Sequence, residues 1–351
     1  LLARSALARR VFRRARRHRV AILMYHGITE QPLPVYNWCH MPVSEFAEQM
    51  AFLAGAYRPL PLSEVIERME AGRSLPERAA CVTFDDGFRN NLTNAWPVLK
   101  KHSIPFTVFV STSLPDTGRP PWPERVFSAI IQSNQSSFAF RGCSLQLSSA
   151  AERTSAYHAV MRILKQLPPN ERDAAQTSVL RDLSGPDTNP EFATLPWPEI
   201  AGFARDPLVR FGSHTHTHEI LTLCTPERQR EELARSREIL GERIGYCEVL
   251  AYPNGDHSQA IRRMCRESGY RAAVTVNQGL VLLNNLDVGT SITTLPISEV
   301  SPAWARAGQE PPTPAVPQGK KTASPAAVGP APSAPASGGS AGLLDLRIVI
   351  P

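Results

Sequence analysis

Two short stretches hold the residues best suited to chemistry, Thr83-Phe84-Asp85-Asp86-Gly87 and Ser213-His214-Thr215-His216-Thr217-His218. Adjacent carboxylates at the end of an apolar run repel each other and lose solvation, so a metal ion or a shared proton is the expected remedy. Gly87 lets the backbone turn sharply behind them. Taken alone, an Asp-Asp-Gly stretch is as readily a solvated turn. His214 and His218 are four positions apart, so one helical turn brings both rings to one side. In an extended strand His214, His216 and His218 would all point one way instead. Either geometry offers two imidazoles and a carboxylate to a metal and leaves positions open for water.

Each stretch follows an apolar run of the length and composition of a buried strand. Ala79-Ala80-Cys81-Val82 leads to the acids, and 208–213 leads to His214. Val20-Ala21-Ile22-Leu23-Met24-Tyr25 leads to His26-Gly27, and Val249-Leu250-Ala251 to Tyr252-Pro253-Asn254-Gly255. Further strands are expected over 105–110 and 271–276. Helices are expected over 44–56 and 63–72, with Ser44 and Ser63 as N-caps. Others are expected over 94–102, 226–241 and 257–269, with a short one opening at Trp197. Strands alternating with helices predict an α/β fold with a parallel sheet, open or closed into a barrel. In a parallel barrel the C-terminal strand ends share the face where active sites are built. Residues 122–205 read as a polar helical insertion without a motif, broken by Pro168-Pro169 and Gly185-Pro186.

Charge and cysteine usage narrow the function. The net charge is +6, but eight arginines and no acid fall within residues 1–29, so the remainder is near neutral. Residues 1–19 read as a basic arm, a solvated tail or an amphipathic element at a membrane surface. Without a basic surface on the fold itself, nucleic acid is not expected as a partner. The six cysteines form no C-x-x-C pair, which points to reduced thiols rather than a disulfide framework. Residues 301–351 open with a Pro/Ala/Ser/Gly-rich stretch expected to be a disordered tail, and 343–351 are apolar enough to dock as a strand. Asn91-Leu92-Thr93 and Asn134-Gln135-Ser136 fit the glycosylation pattern. The compartment is left between the cytoplasm and a membrane-associated position at the cell envelope.

Together the Asp-Asp and His-x-x-x-His motifs resemble the polysaccharide deacetylase (NodB-homology) domain, carbohydrate esterase family 4, over roughly residues 20–300. Met24-Tyr25-His26-Gly27 and Ala251-Tyr252-Pro253-Asn254-Gly255 are further similar to the branch acting on exopolysaccharides, including poly-N-acetylglucosamine. The resemblance implies a distorted (β/α)7 TIM-like barrel with 122–205 inserted. It implies that Asp86, His214 and His218 hold one divalent ion, Zn²⁺ or alternatively Co²⁺ or Ni²⁺. Asp85 would be the general base, and an oxyanion donor would lie near Tyr252 to Asn254. The family's Arg-x-Pro-Tyr motif has Ala251 at the Arg position and Asn254 at the aromatic one. Its Asp-x-x-Asp-Trp motif has no counterpart, and neither does the C-terminal Leu-x-Ile-His motif that supplies the acid. His26 is therefore expected as the replacement acid, its alternative being a core histidine bonded to backbone. The expected activity is metal-dependent removal of N-acetyl groups from an amino-sugar polysaccharide or oligosaccharide. The alternatives are a catalytically impaired glycan-binding relative and a non-haem Fe(II) oxygenase.

Overall fold

Apolar runs with no polar alternation form a parallel sheet covered on both faces. A computed structural model describes residues 20–275 and the backbone of a strand at 344–347. The chain opens with β1 (Val20–Tyr25), β2 (Gly27–Thr29), β3 (His40–Pro42), α1 (Val43–Ala56), β4 (Arg58–Pro59), α2 (Leu62–Glu70) and β5 (Ala79–Phe84). A π-helical turn (Asn91–Ala95) runs into α3 (Trp96–Lys101), followed by β6 (Phe106–Val110) and α4 (Trp122–Gln132). Next come β7 (Ser137–Phe140), β8 (Cys143–Gln146), α5 (Ala150–Leu164), α6 (Pro169–Leu183) and α7 (Trp197–Phe203). The remainder is β9 (Val209–Ser213), α8 (Pro226–Ile244), β10 (Val249–Ala251), α9 (Gln259–Glu267), β11 (Ala272–Thr275) and β12 (Leu344–Arg347).

The main sheet has the order β1-β5-β6-β9-β10-β11-β12, with each neighbouring pair parallel. It curls as the half-barrel of a (β/α) barrel ringed by helices. Alternate strand residues enter different cores, as a period of two requires. Leu23, Tyr25, Ala80, Val82 and Phe84 pack with Phe46 and Met50 of α1 and Leu233 of α8. Val20, Ile22, Met24, Ala79 and Cys81 pack instead with Val65, Ile66 and Met69 of α2. Gly212 in β9 is required by close approach, because a Cβ there would sit 2.6 Å from the Phe109 ring.

The strands fall where the apolar runs predict. The helices opening at Trp197 and Pro226 also start where expected, but α1 and α2 do not: they are preceded by Pro42 and Pro61 with no side-chain cap, so Ser44 and Ser63 lie inside the helices. A proline there loses nothing by lacking an N–H and sets the entry backbone. The 122–205 stretch is not wholly helical. It contains the antiparallel hairpin β7-β8, turned at Arg141-Gly142 with φ of 46° and 79°. It has a core of its own, in which Trp122, Phe127, Tyr157, Val160 and Phe192 pack against Phe88 and Ile220. Phe88 lies two residues beyond Asp86, and Ile220 two beyond His218, so the insertion is seated on both motif loops. Within the expected disordered tail, Leu344–Arg347 is a strand beside β11, with Ala272 opposite Leu344. The rest of 301–351 and the basic arm at 1–19 lie outside the described residues.

Candidate metal centre and active site

Because the sheet is parallel, β1, β5, β9 and β10 deliver His26, Asp85-Asp86, His214 and Tyr252 to one edge. Asp85 is fixed by its backbone N–H, which donates to Tyr25 O at 2.9 Å across the β1–β5 pair. Asp86 (φ 69°) and Gly87 (φ 65°) then take left-handed backbone, turning the chain so that both carboxyls stay buried. Thr215 (φ 64°) and His218 (φ 61°) do the same on the facing loop, and a non-glycine residue there is strained. Of the eight non-glycine residues with positive φ among the described residues, four lie here: Asp86, Thr215, His218 and Asn254.

The His214–His218 loop is neither helix nor strand, and Glu232 of α8 shapes it. This fully buried carboxylate accepts from the His216 and Thr217 backbone N–H groups, each at 2.8 Å, and from Thr217 Oγ1 at 2.6 Å. Arg228 pairs with it at 2.9 Å. On the other side, Trp122 Nε1 donates to His218 O at 3.3 Å, and Arg172 of α6 pairs with buried Glu219 at 2.5 Å. The loop therefore turns His214 and His218 inward while His216 points away, its Nδ1 2.9 Å from Thr112 Oγ1.

Asp86, His214 and His218 each bring one ligand atom into a group with all atoms within 4.8 Å of one another. His218 Nε2 is 3.0 Å and His214 Nε2 3.5 Å from Asp86 Oδ1, yet that oxygen has no hydrogen-bond partner. Close approach without hydrogen-bond alignment suits ligands aimed at a shared cation rather than at each other. His214 Nδ1 lies 2.9 Å from Ala251 O, an acceptor only, so Nδ1 carries the proton and Nε2 presents its lone pair. Burial, with the nearby His218, lowers the His214 pKa to about 3 and keeps the ring neutral. Burial alone would raise the Asp86 carboxyl, but His218, His26 and His214 hold it well below the usual range. The residues fit a divalent metal ion.

Asp85 stands beside this group, buried, with Oδ1 lacking a partner. Burial and then the charge of Asp86 push its carboxyl well above the ordinary value. His26 faces the same cavity, edge-on to Trp38 with ring centroids 5.2 Å apart, and burial lowers its pKa. Tyr252 lies elsewhere than expected. Its N–H pairs with Val274 O at 3.1 Å and its ring is buried, with Oη 3.5 Å from Cys265 Sγ, so it faces the core and supplies no oxyanion donor. Asn254 does line the cavity, at its rim, where Oδ1 accepts from Lys165 Nζ at 2.8 Å and Nδ2 donates to Asp256 at 2.6 Å. Asn91 is fully buried, and Nδ2 donates to His26 O at 2.5 Å, so the first glycosylation pattern is structural.

The cavity measures about 480 Å³. One wall comes from the insertion, which the sequence reading left without a role: Glu124 from α4, Tyr157, His158 and Arg162 from α5, and Lys165 at the C-terminal cap of α5. Their positions along α5 are spaced as one helix face, a signal present in the sequence but indistinguishable there from an ordinary polar helix. The buried Glu124–His40 pair, at 3.0 Å, was also missed, because nothing local joins residues so distant in the chain.

Fold and site define a protein with a parallel sheet curled into a half-barrel among helices, carrying a two-histidine, one-carboxylate cradle on its strand-end face. The sequence matches the family described as polysaccharide deacetylase over residues 72–273, more than half of the chain, and the protein belongs to that family. Over 84 residues it is 35% identical to poly-beta-1,6-N-acetyl-D-glucosamine N-deacetylase of Escherichia coli (strain K12), covering 24% of this chain and 12% of that one. It is 32% identical over 93 residues to the Bacillus subtilis (strain 168) protein YxkH, provisionally named a polysaccharide deacetylase, covering 26% and 32%. The chain thus spans a third or less of these curated relatives. Among solved structures, Streptococcus pyogenes deacetylase PplD in complex with acetate superposes with a TM-score of 0.52 at 19% identity, over 76% of this chain and 88% of that one. At that identity the likeness concerns the fold.

Proposed function

We propose that the protein is a metal-dependent hydrolase that removes N-acetyl groups from an amino-sugar polysaccharide or oligosaccharide. Asp86, His214 and His218 would hold the divalent ion. When bound, such an ion lowers the pKa of its water toward neutrality and polarises the acetamide carbonyl. Asp85 would take the proton of the attacking water as its oxygen adds to the carbonyl carbon. The C–N bond then breaks, acetate leaves, and the amine departs with a proton returned from the Asp85 or His26 side of the cavity. Tyr252 takes no part beyond its strand, and Asn254 orders the rim through Lys165.

The observation that carries this reading is Asp85, a buried carboxylate with an unpartnered oxygen directly beside the cradle. An Fe(II) oxygenase has no use for such a base, and a glycan-binding relative has no need to bury one. The test is acetate release from N-acetylglucosamine oligomers with and without chelator. Release that stops with chelator and returns with Zn²⁺, Co²⁺ or Ni²⁺ is the expected result. Glycan binding without release under any metal supplement would overturn the reading.

A further inference from the structure

We propose that the glycan taken by this site carries an anionic group next to its acetamido sugar, seated between Trp38 and the Arg162–Lys165 edge of α5. This rests on the deacetylase reading and narrows its substrate class.

The first support is uncompensated charge. The cavity is lined by the carboxylates Asp85, Asp86 and Glu124. Asp85 and Asp86 face the candidate metal centre, and Glu124 lies 3.0 Å from His40 Nε2. The cations have no such match. Arg162 has no ion pair among the described residues, and Lys165 Nζ donates to the neutral amide of Asn254 at 2.8 Å. Asp256 is the nearest acid in that chain of contacts, and it is engaged by Asn254 Nδ2. With a dication balancing Asp85 and Asp86, the α5 wall is left cationic. Two positive groups converging on one side of a cleft attract an anion and repel an ammonium. A neighbouring sugar that has already lost its acetyl group would be such an ammonium. The wall is thus suited to an acidic glycan and ill suited to a run of glucosamines.

The second support is Trp38, which is 45% exposed although its neighbours are fixed. Asn37 and His40 are buried, and both reach Glu124, at 3.5 and 3.0 Å. Asn37 Oδ1 also accepts from Cys39 N at 3.1 Å. An indole left half in solvent on a backbone pinned on either side is a preformed surface for a sugar ring. Trp38 and α5 both line the cavity that holds Asp85, so a sugar on one and a charge on the other belong to the same ligand.

The experiment compares three ligands: a neutral N-acetylglucosamine tetramer, a tetrasaccharide alternating N-acetylhexosamine with hexuronate, and N-acetylglucosamine 1-phosphate. Binding is measured by calorimetry on the zinc-loaded Asp85→Asn protein, and acetate release on the wild type. At least one anionic ligand should bind roughly tenfold tighter than the neutral tetramer, an advantage that shrinks with added salt. Which of the two does so distinguishes carboxylate from phosphate. The advantage should collapse in Arg162→Gln/Lys165→Gln and survive in the charge-keeping Arg162→Lys/Lys165→Arg. Equal binding of neutral and anionic ligands, or a preference untouched by the Gln pair, overturns the proposal. A preserved anionic preference without acetate release leaves this proposal standing and removes the deacetylase reading instead.

Discussion

A backbone carbonyl decides what His214 can do. Ala251 O holds the Nδ1 proton, so Nε2 is free to ligate, and burial keeps the ring neutral down to a pKa of about 3. An unfolded histidine takes its proton near pH 6.5. Below that pH the unfolded metal-free chain binds more protons than the folded one, so stability should fall steadily from about pH 6.5 toward pH 3. Urea midpoints across that range check the slope, and His214→Gln should flatten it. Asp85 has the opposite sign. Its raised carboxyl costs the folded metal-free chain stability as pH rises above about 4. Asp85→Asn should therefore stabilise the metal-free protein at pH 7, by about 1–2 kcal/mol, while abolishing turnover and keeping metal affinity. A variant that loses metal or keeps activity would show that Asp85 has another job. His216 was legible as a histidine within the motif, but only the loop fold shows it turned away to Thr112.

At the scale of elements, the His loop is held from two sides by buried carboxylates. Glu232 from α8 caps the backbone of His216 and Thr217, while Glu219 is gripped by Arg172 from the insertion. Arg172→Ala leaves Glu219 buried and unpaired, which costs about 3–5 kcal/mol. It should also weaken metal binding roughly 10–100-fold by releasing His218, as loss of an outer support does. Urea unfolding and a metal titration on the same variant measure both effects. A stability loss with metal affinity intact would mean that the insertion does not position the ligand. The strands that carry the site were readable because uninterrupted apolar runs have few other fates. The supports were not. Arg172 and Glu232 sit in helices crowded with charge, and nothing in the sequence says which charge the fold buries. The hairpin β7-β8 was hidden likewise, its Phe138 and Phe140 alternation set inside a long polar stretch.

Over the whole molecule, the strand ends of the sheet carry the candidate ligands and the proposed base, and the insertion supplies a wall, a clamp and a core of its own. The resemblance carried by the Asp-Asp and His-x-x-x-His motifs gave the barrel, and family membership over residues 72–273 agrees with it. It gave no role to residues 122–205, because that segment carries none of the motifs on which the resemblance rests. It also implied an oxyanion donor near Tyr252 to Asn254; the chain commits the Tyr252 N–H to the sheet, while Asn254 lines the cavity. Everything in the functional reading descends from one geometric claim, that Asp86, His214 and His218 converge on a single cation. A titration of Zn²⁺ into chelator-treated, dialysed protein tests it most directly. The account predicts one ion per chain, lost in Asp86→Asn and in His218→Ala and retained in His216→Ala. Zinc binding that persists without Asp86 and His218, or that disappears with His216, would contradict it.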